Sequence, residues 1–238
     1  MKTNNQTSNP TTEKTTVFNL IILDESGSMA PLVKQTISGC NETLNVIRST
    51  SAANPDTIRS LVSIYEFQSN PSRPSHYLIK NAKPEDVKDL TEKDYQPCGA
   101  TPLLDAVGST LSELKAVAAT HENASGIVTI ITDGYENSSQ FYNWRQVANL
   151  IAELKEMGWT INLIGANIDV ERMGETMNID NRMAFTSDEE GTSVMYGKFS
   201  SHLEDSLNDY AHEDRFMPME ARICERKARS SKFFSRKK

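Results

Sequence analysis

Short runs of apolar residues alternate along this chain with longer segments in which apolar residues recur at helical spacing. The short runs are rich in Val, Ile and Leu, which is typical of strands that are buried on both faces. The predicted strands cover residues 17–23, 61–67, 76–79, 127–132, 159–165 and 182–186. The predicted helices cover residues 31–49, 102–117, 144–157, 170–177 and 193–210.

The order of these elements predicts the fold class. Strands that alternate with helices indicate a largely parallel sheet with helices on both faces. Because crossovers between parallel strands are right-handed, the leading architecture is a doubly wound, Rossmann-like α/β sandwich. The exception lies between the second and third strands, where Asn70, Pro71 and Pro74 favour a short, hairpin-like connection.

Charge is distributed unevenly along the 238 residues. The chain has a formal net charge of −7, but residues 222–238 contain eight basic side chains and one acid, Glu225, so that tail carries +7 and the rest −14. An acidic body disfavours nucleic-acid binding, which depends on cations that meet phosphates, and leaves the basic tail as the candidate for a nucleic acid or another anionic partner. We expect a disordered lead over residues 1–15, one domain over 16–212 and a disordered basic tail over 213–238.

The cysteines and the amino-terminal sequence indicate the cellular compartment of the protein. Cys40, Cys98 and Cys224 are far apart and form no CxxC pair, which disfavours a zinc cluster or a redox motif. The polar stretch before residue 16 lacks the apolar region of a secretory signal, and the first apolar run is too short to span a bilayer. We therefore predict free thiols and a cytoplasmic location.

Oxygen-bearing side chains follow the predicted strands at the point where each strand ends. Asp24, Ser26 and Ser28 come after the first strand, Asp133 follows the fourth, and Thr101 opens the helix between the third and fourth strands. Ligands bind open α/β sheets outside the carboxyl ends of the strands, so these loops are expected to converge. Two carboxylates and three hydroxyls are hard ligands that suit Mg²⁺, Mn²⁺ or Ca²⁺. The sequence therefore predicts a metal site.

Each of these motifs alone has a simpler interpretation. Ser and Asp between a strand and a helix are common helix caps, and Thr101 followed by Pro102 is a favourable helix start. Asp133 followed by Gly134 is typical of a turn. Three such motifs, in order and at one edge of the sheet, favour metal binding over separate caps and turns.

The combined motifs resemble the von Willebrand factor type A (VWA) domain and its metal-ion-dependent adhesion site. The resemblance rests on Asp-x-Ser-x-Ser after the first strand, Thr-Pro at the start of the middle helix and Thr-Asp-Gly after the fourth strand, and it spans the whole predicted domain. It implies a six-stranded, mostly parallel sheet with one antiparallel edge strand. It also implies that Ser26 and Ser28 coordinate through their hydroxyls and Thr101 directly or through water. Asp24 and Asp133 would act largely through bound waters.

By this resemblance the protein is a non-enzymatic, cation-dependent protein-binding module of the compact, cytoplasmic bacterial type. Mg²⁺ is the expected ion, with Mn²⁺ or Ca²⁺ as alternatives, and an open coordination position would accept an exposed Glu or Asp of a protein partner. The alternative is a Mg²⁺-dependent enzyme for phosphoryl transfer or hydrolysis. Against the enzyme, Ser26 stands where phosphotransfer proteins have a second aspartate, and the sequence has no P-loop, G-x-S-x-G or H-E-x-x-H motif.

Residues beside the motifs have two interpretations each. Asp105 lies in the first turn of the middle helix, where the helix dipole favours a carboxylate, and supporting the metal is its less favoured role. Glu25, Tyr135 and Glu136 are expected either at a rim that contacts a partner or in solvent. His76 sits in no ligand-like spacing and is expected to be structural or exposed.

Overall fold

A six-stranded mixed sheet forms the centre of the protein in the computed structural model, which describes residues 14–235. The strands are β1 (Thr15–Asp24), β2 (Ile58–Phe67), β3 (His76–Ala82), β4 (Ala124–Thr132), β5 (Thr160–Gly165) and β6 (Asn181–Ala184). Their order is β3-β2-β1-β4-β5-β6; the edge strand β3 is antiparallel to β2, and the other pairs are parallel. The predicted doubly wound fold, with one antiparallel edge strand, is confirmed.

Six α-helices accompany this sheet in the described part of the chain. They are α1 (Val33–Ala53), α2 (Leu103–Ala118), α3 (Trp144–Glu156), α4 (Val170–Thr176), α5 (Glu189–Ala211) and α6 (Met219–Ser230). Helices α1 and α5 pack on one face, and α2, α3 and α4 pack on the other. Within residues 14–235, no helix is both long and apolar enough to cross a membrane.

The central strand β1 shows why both faces need helices. All ten of its residues are buried. Val17 and Ile21 belong to the core beneath α1 and α5, whereas Phe18 and Ile22 belong to the core beneath α2, α3 and α4. Because successive side chains of a strand point to opposite faces, a strand that is apolar at every position must be covered on both sides.

The predicted helix boundaries differ from the observed ones for local reasons. Helix α5 begins earlier than the predicted residue 193, because the carboxylate of Asp188 caps it and accepts a hydrogen bond from the Gly191 N–H at 2.7 Å. Helix α1 begins later than predicted, since residues Gly27–Leu32 form a 3₁₀ segment before it. This 3₁₀ segment is part of the connection from β1 to α1.

The carboxyl-terminal segment differs from the sequence prediction. Residues 213–238 are predicted to be a disordered tail, but the structure has helix α6 over Met219–Ser230 and a 3₁₀ turn over Phe233–Ser235. Residues 236–238, and residues 1–13 of the predicted lead, lie outside the described residues. The prediction of a disordered tail is therefore wrong for the part of the tail that the structure describes.

One buried acid explains why this segment folds. Glu213 accepts hydrogen bonds from three guanidinium groups, at N–O distances between 2.6 and 3.1 Å. They belong to Arg222, Arg226 and Arg229, of which the first two lie one helical turn apart and are almost fully buried. Arg222 also donates to the hydroxyl of Thr15, the first residue of β1, and so fastens α6 to the amino end of the sheet. These two guanidinium groups are therefore unavailable to a nucleic acid.

The same segment covers one edge of the sheet. Strand β6 is the edge opposite β3, and an uncovered edge strand is a template for pairing with another chain. The side chain of Asn181 donates to the Ser230 carbonyl at 2.6 Å and accepts from the Phe233 N–H at 2.9 Å. The ring of Phe233 is fully buried and packs near Phe199 of α5. The carboxyl-terminal segment thus belongs to the folded domain.

Replacing Glu213 with alanine is expected to lower the free energy of unfolding by about 3–5 kcal/mol, because it leaves the buried charges of Arg222 and Arg226 without their acid. Urea unfolding followed by circular dichroism measures the change. Glu225→Ala removes an exposed acid from α6 and is the control, with an expected change below about 0.5 kcal/mol. Equal, small losses in both variants would contradict the role given to Glu213.

Candidate metal centre

The carboxyl ends of β1 and β4 bring two of the predicted site residues together. The strands are parallel neighbours, and their register pairs Leu23 with Ile131. Asp24 is the last residue of β1, and Asp133 directly follows β4. Both side chains are almost completely buried. Two carboxylates that lie close together out of water are unfavourable when charged, unless hydrogen bonds or a cation stabilise them.

Hydroxyl and amide groups donate hydrogen bonds to both carboxylates. One oxygen of Asp24 accepts from the Ser26 N–H at 2.7 Å, and the other accepts from the Thr132 hydroxyl at 2.5 Å. The Ser28 hydroxyl donates to Asp133 Oδ1 at 2.5 Å and lies 3.1 Å from the Ser26 hydroxyl. The structure therefore joins four of the five predicted site residues in one hydrogen-bonded group.

Thr101 reaches the same group from a different loop. A Cβ atom placed on Gly134 would lie 3.2 Å from the Thr101 hydroxyl oxygen and 3.9 Å from both Asp24 Oδ2 and Ser28 Oγ. Three oxygen atoms from two loops thus lie around one point beside a glycine of a third loop, and a side chain at position 134 would fill that point. Convergence of oxygen atoms from several loops on one point is what a divalent cation requires.

Burial shifts both acids toward protonation. It raises the pKa of Asp24 from its ordinary 3.8 to about 6, against the lowering effect of the hydrogen bonds it accepts, and the charge of Asp133 adds a smaller increase. Burial also raises the pKa of Asp133, although hydrogen bonds from Ser28 and Ser187 lower it. The protein's own donors therefore leave part of the negative charge uncompensated. A divalent cation with oxygen ligands fits this group in charge and in chemistry.

The loop after β4 is fixed to the start of α2. The side-chain oxygen of Asn137 accepts from the Thr101 N–H at 2.8 Å, and the backbone N–H of Asn137 donates to the Thr101 carbonyl at 3.2 Å. The carboxylate of Asp105 accepts from three consecutive backbone N–H groups, those of residues 140–142, each at 2.8 Å. Glu136 accepts from the first turn of α2 and from its own loop. Asp105 and Glu136 therefore hold the loop that positions Thr101.

The three residues expected at a rim lie in different surroundings. Glu25 is fully buried and contacts Arg73, so it cannot contact a partner. Glu136 is used within its loop. Tyr135 is 55% exposed, and its hydroxyl accepts from the Asp169 N–H at 2.8 Å, which leaves the ring at the surface of this edge.

Three residues that hold the group together have no role in the sequence prediction: Thr132, present there only as part of the Thr-Asp-Gly motif, Asn137 and Ser187. Thr132 is the last residue of β4, and Ser187 follows β6 at the same edge of the sheet, so an oxygen-bearing side chain at a strand's carboxyl end was a usable signal for both. Asn137 has no such signal, because its contact with Thr101 depends on the path of the loop.

The sequence matches the family model of the von Willebrand factor type A domain over residues 20–198. The chain belongs to this family. VWA domains are known as cation-dependent adhesion and protein-interaction modules, and they often bind a divalent metal ion. The predicted start of the domain at residue 16 stays a prediction, and the predicted end at residue 212 falls short of the folded carboxyl-terminal segment. No curated protein is significantly similar to this VWA chain in sequence.

Two solved structures have folds similar to this VWA domain. The pilus adhesin SpaC from Lactobacillus rhamnosus GG, in its open conformation, superposes with a TM-score of 0.61 and 12% identity, over 84% of this chain and 31% of its own. Proximal thread matrix protein 1 from the mussel byssus superposes with a TM-score of 0.58 and 15% identity, over 80% of this chain and 48% of its own. The VWA chain therefore spans less than half of either protein, and identities this low show the fold alone.

In the metal-free protein, the raised pKa of Asp24 predicts a pH-dependent loss of stability. Between the ordinary pKa of 3.8 and the folded-state value of about 6, the folded chain holds a proton that the unfolded chain has lost. The contribution of Asp24 therefore falls as pH rises through this window and stays low above it. Asp24→Asn cannot titrate, so in EDTA it should gain about 2 kcal/mol over the wild type between pH 4 and pH 7. Urea unfolding at both pH values measures this, and a difference independent of pH would contradict it.

Proposed function

We propose that this chain is a protein-binding module that engages its partner through a divalent cation at the carboxyl ends of β1 and β4. The proposed ion is Mg²⁺, with Mn²⁺ or Ca²⁺ as alternatives. The residues that would hold it are Asp24, Ser26, Ser28, Thr101 and Asp133. The observation that supports this most is the point beside Gly134, on which three oxygen atoms from two loops converge.

The acids and the hydroxyls have different roles in this proposal. Asp24 and Asp133 supply two negative charges, which match the charge of a divalent ion. The hydroxyls of Ser26, Ser28 and Thr101 add oxygen ligands without adding charge, so the whole set remains neutral with the ion bound. When bound, the ion would supply a Lewis-acidic coordination position that a carboxylate can fill.

The proposed partner presents an exposed Glu or Asp. Mg²⁺ takes six ligands and usually keeps some water, so five protein groups leave a position toward solvent. The loop after β4 also displays two aromatic rings, Tyr135 at 55% exposure and Phe141 at 80% exposure. Exposed aromatic rings on a rigidly held loop offer apolar contact area around the carboxylate.

We further propose that the module is not an enzyme and works in a reducing, cytoplasmic setting. Within residues 14–235, no lysine or arginine side chain hydrogen-bonds to the five site residues, whereas phosphoryl-transfer enzymes use such cations to hold phosphate. The cysteines Cys40, Cys98 and Cys224 are unpaired in the described chain, which fits a reducing compartment.

Mg²⁺ added to EDTA-treated protein is expected to stabilise the fold by ~2.7 kcal/mol at a hundred times its dissociation constant. For a domain of this size the melting temperature should rise by roughly 5–10 °C in scanning fluorimetry. Gly134→Ala should remove the rise and keep the fold, because its methyl group fills the point where the oxygen atoms converge. Gly134 does not have a positive φ, so alanine introduces no backbone strain there.

Two further variants complete the metal test. Asp133→Ala should remove the Mg²⁺ response by deleting a charge. Asp56→Ala, an exposed acid at the opposite end of the sheet, should keep the full response. A response that persists in both Gly134→Ala and Asp133→Ala would place the ion elsewhere.

A displayed peptide library, selected against the protein in Mg²⁺, is expected to enrich sequences with an Asp or Glu that is essential for binding. Changing that residue to Asn or Gln, adding EDTA, or using Gly134→Ala should each weaken binding at least tenfold in fluorescence anisotropy, or about 1.4 kcal/mol. Peptides that bind equally tightly in EDTA would show that recognition does not use the ion.

A further inference from the structure

A second group of charged residues lies beside the predicted metal centre, on the side toward β2. Glu25 follows β1, Glu66 lies near the end of β2, Arg73 lies in the connection to β3, and His76 is the first residue of β3. Both glutamates are fully buried. The side chains of Arg73 and His76 are 26% and 37% exposed. The group is therefore internal but reachable from the surface.

Three of these side chains are held through one polar atom each. Glu25 Oε1 accepts from Arg73 Nε at 2.9 Å and from a backbone N–H at 2.6 Å. Glu66 Oε2 accepts from Arg73 Nη2 at 3.2 Å. His76 Nδ1 lies 3.2 Å from the Pro74 carbonyl oxygen. Because a carbonyl can only accept, Nδ1 carries the hydrogen and Nε2 keeps its lone pair.

The second oxygen of each glutamate has no hydrogen-bond partner in the described chain, and the free ring nitrogen of His76 lies close to Glu66. Glu25 Oε2 and Glu66 Oε1 are buried and have no hydrogen-bond partner within residues 14–235. His76 Nε2 lies 3.8 Å from Glu66 Oε2, which is too far for a hydrogen bond. One ligand atom from each of the three residues lies within 4.8 Å of the other two.

Buried carboxylate oxygens that have no hydrogen-bond donor need a cation or a proton beside them. The single charge of Arg73 cannot balance two buried carboxylates. Donor atoms bound to one Zn²⁺ at ~2.1 Å in tetrahedral geometry lie roughly 3.4 Å apart. The ligand atoms of the three residues lie within 4.8 Å of one another, so side-chain movements would bring the three donors to one ion. Burial and the nearby charge of Glu25 raise the pKa of Glu66 to about 8, which agrees with uncompensated negative charge.

We propose that Glu25, Glu66 and His76 form a second cation site, which binds a transition-metal ion such as Zn²⁺. Two carboxylates and one imidazole suit Zn²⁺ or Mn²⁺, whereas Mg²⁺ and Ca²⁺ select oxygen ligands. Metal-binding histidines usually donate their other ring N–H to a carbonyl or a carboxylate, as His76 does to Pro74. Arg73 is the supporting group, because it donates to one oxygen of each glutamate and leaves the other oxygen without a partner among the described residues.

Equilibrium dialysis of the full chain against Zn²⁺, with millimolar Mg²⁺ present to fill the first site, tests this proposal. The wild type should retain about one zinc ion per chain, and His76→Ala should weaken zinc binding at least tenfold. His212→Ala is the matched control, since His212 is an exposed histidine whose Nδ1 also bonds a backbone carbonyl, that of Asn208 at 2.7 Å, and it should bind zinc as the wild type does.

Asp24→Ala separates this site from the first one. It should lose the Mg²⁺-induced rise in melting temperature and keep its zinc, while His76→Ala should keep the rise, which also shows that the variant is folded. Zinc lost by Asp24→Ala and kept by His76→Ala would place that ion at the first site and overturn the proposal. Absence of zinc from the wild type would also overturn it. Retained zinc without any Mg²⁺ response would contradict only the first site.

Discussion

The parallel pairing of β1 with β4 is the constraint on which the rest of this protein depends. It puts Asp24 and Asp133 at adjacent strand ends, out of water, where two negative charges are unfavourable. The chain surrounds them with hydroxyl and backbone donors, which lower the electrostatic cost only in part. The same topology makes β1 apolar on both faces and requires helices on each side. The fold and the candidate site are therefore consequences of one arrangement of strands.

Features tied to the alternation of strands and helices could be predicted from the sequence. The Asp-x-Ser-x-Ser motif, Thr101 and Asp133 all stand at the ends of elements, and the parallel topology fixes which edge of the sheet those ends share. Contacts that depend on loop paths could not be predicted. Asn137 hydrogen-bonds to both backbone groups of Thr101 only because the loop after β4 folds back over α2. Glu25 flanks the motif and was expected outside, but it is fully buried beside Glu66.

The carboxyl-terminal segment shows the limit of reasoning from charge patterns. A run of basic residues indicates a solvated tail only when no acid outside the run can pair with it. Glu213 lies just before the run, pairs with three of its arginines and holds two of them, Arg222 and Arg226, in the interior. The helical spacing of Arg222 and Arg226 was the available signal, since residues four positions apart share one face of a helix. The sequence alone could not show that this face of α6 lies against the amino ends of β1 and β4.

The contact between Arg222 and Thr15 joins residues 207 positions apart in the sequence. The amino end of the first strand is therefore completed by a helix that is synthesised after all six strands. Until α6 has been synthesised, a nascent chain can assemble most of the sheet but leaves the β6 edge and the β1 end bare. Exposed strand edges and apolar surface make such intermediates prone to aggregation. Completion of the β1 end and the β6 edge therefore has to wait for α6, and chains truncated or stalled before α6 should depend on chaperones even though their sheet is almost complete.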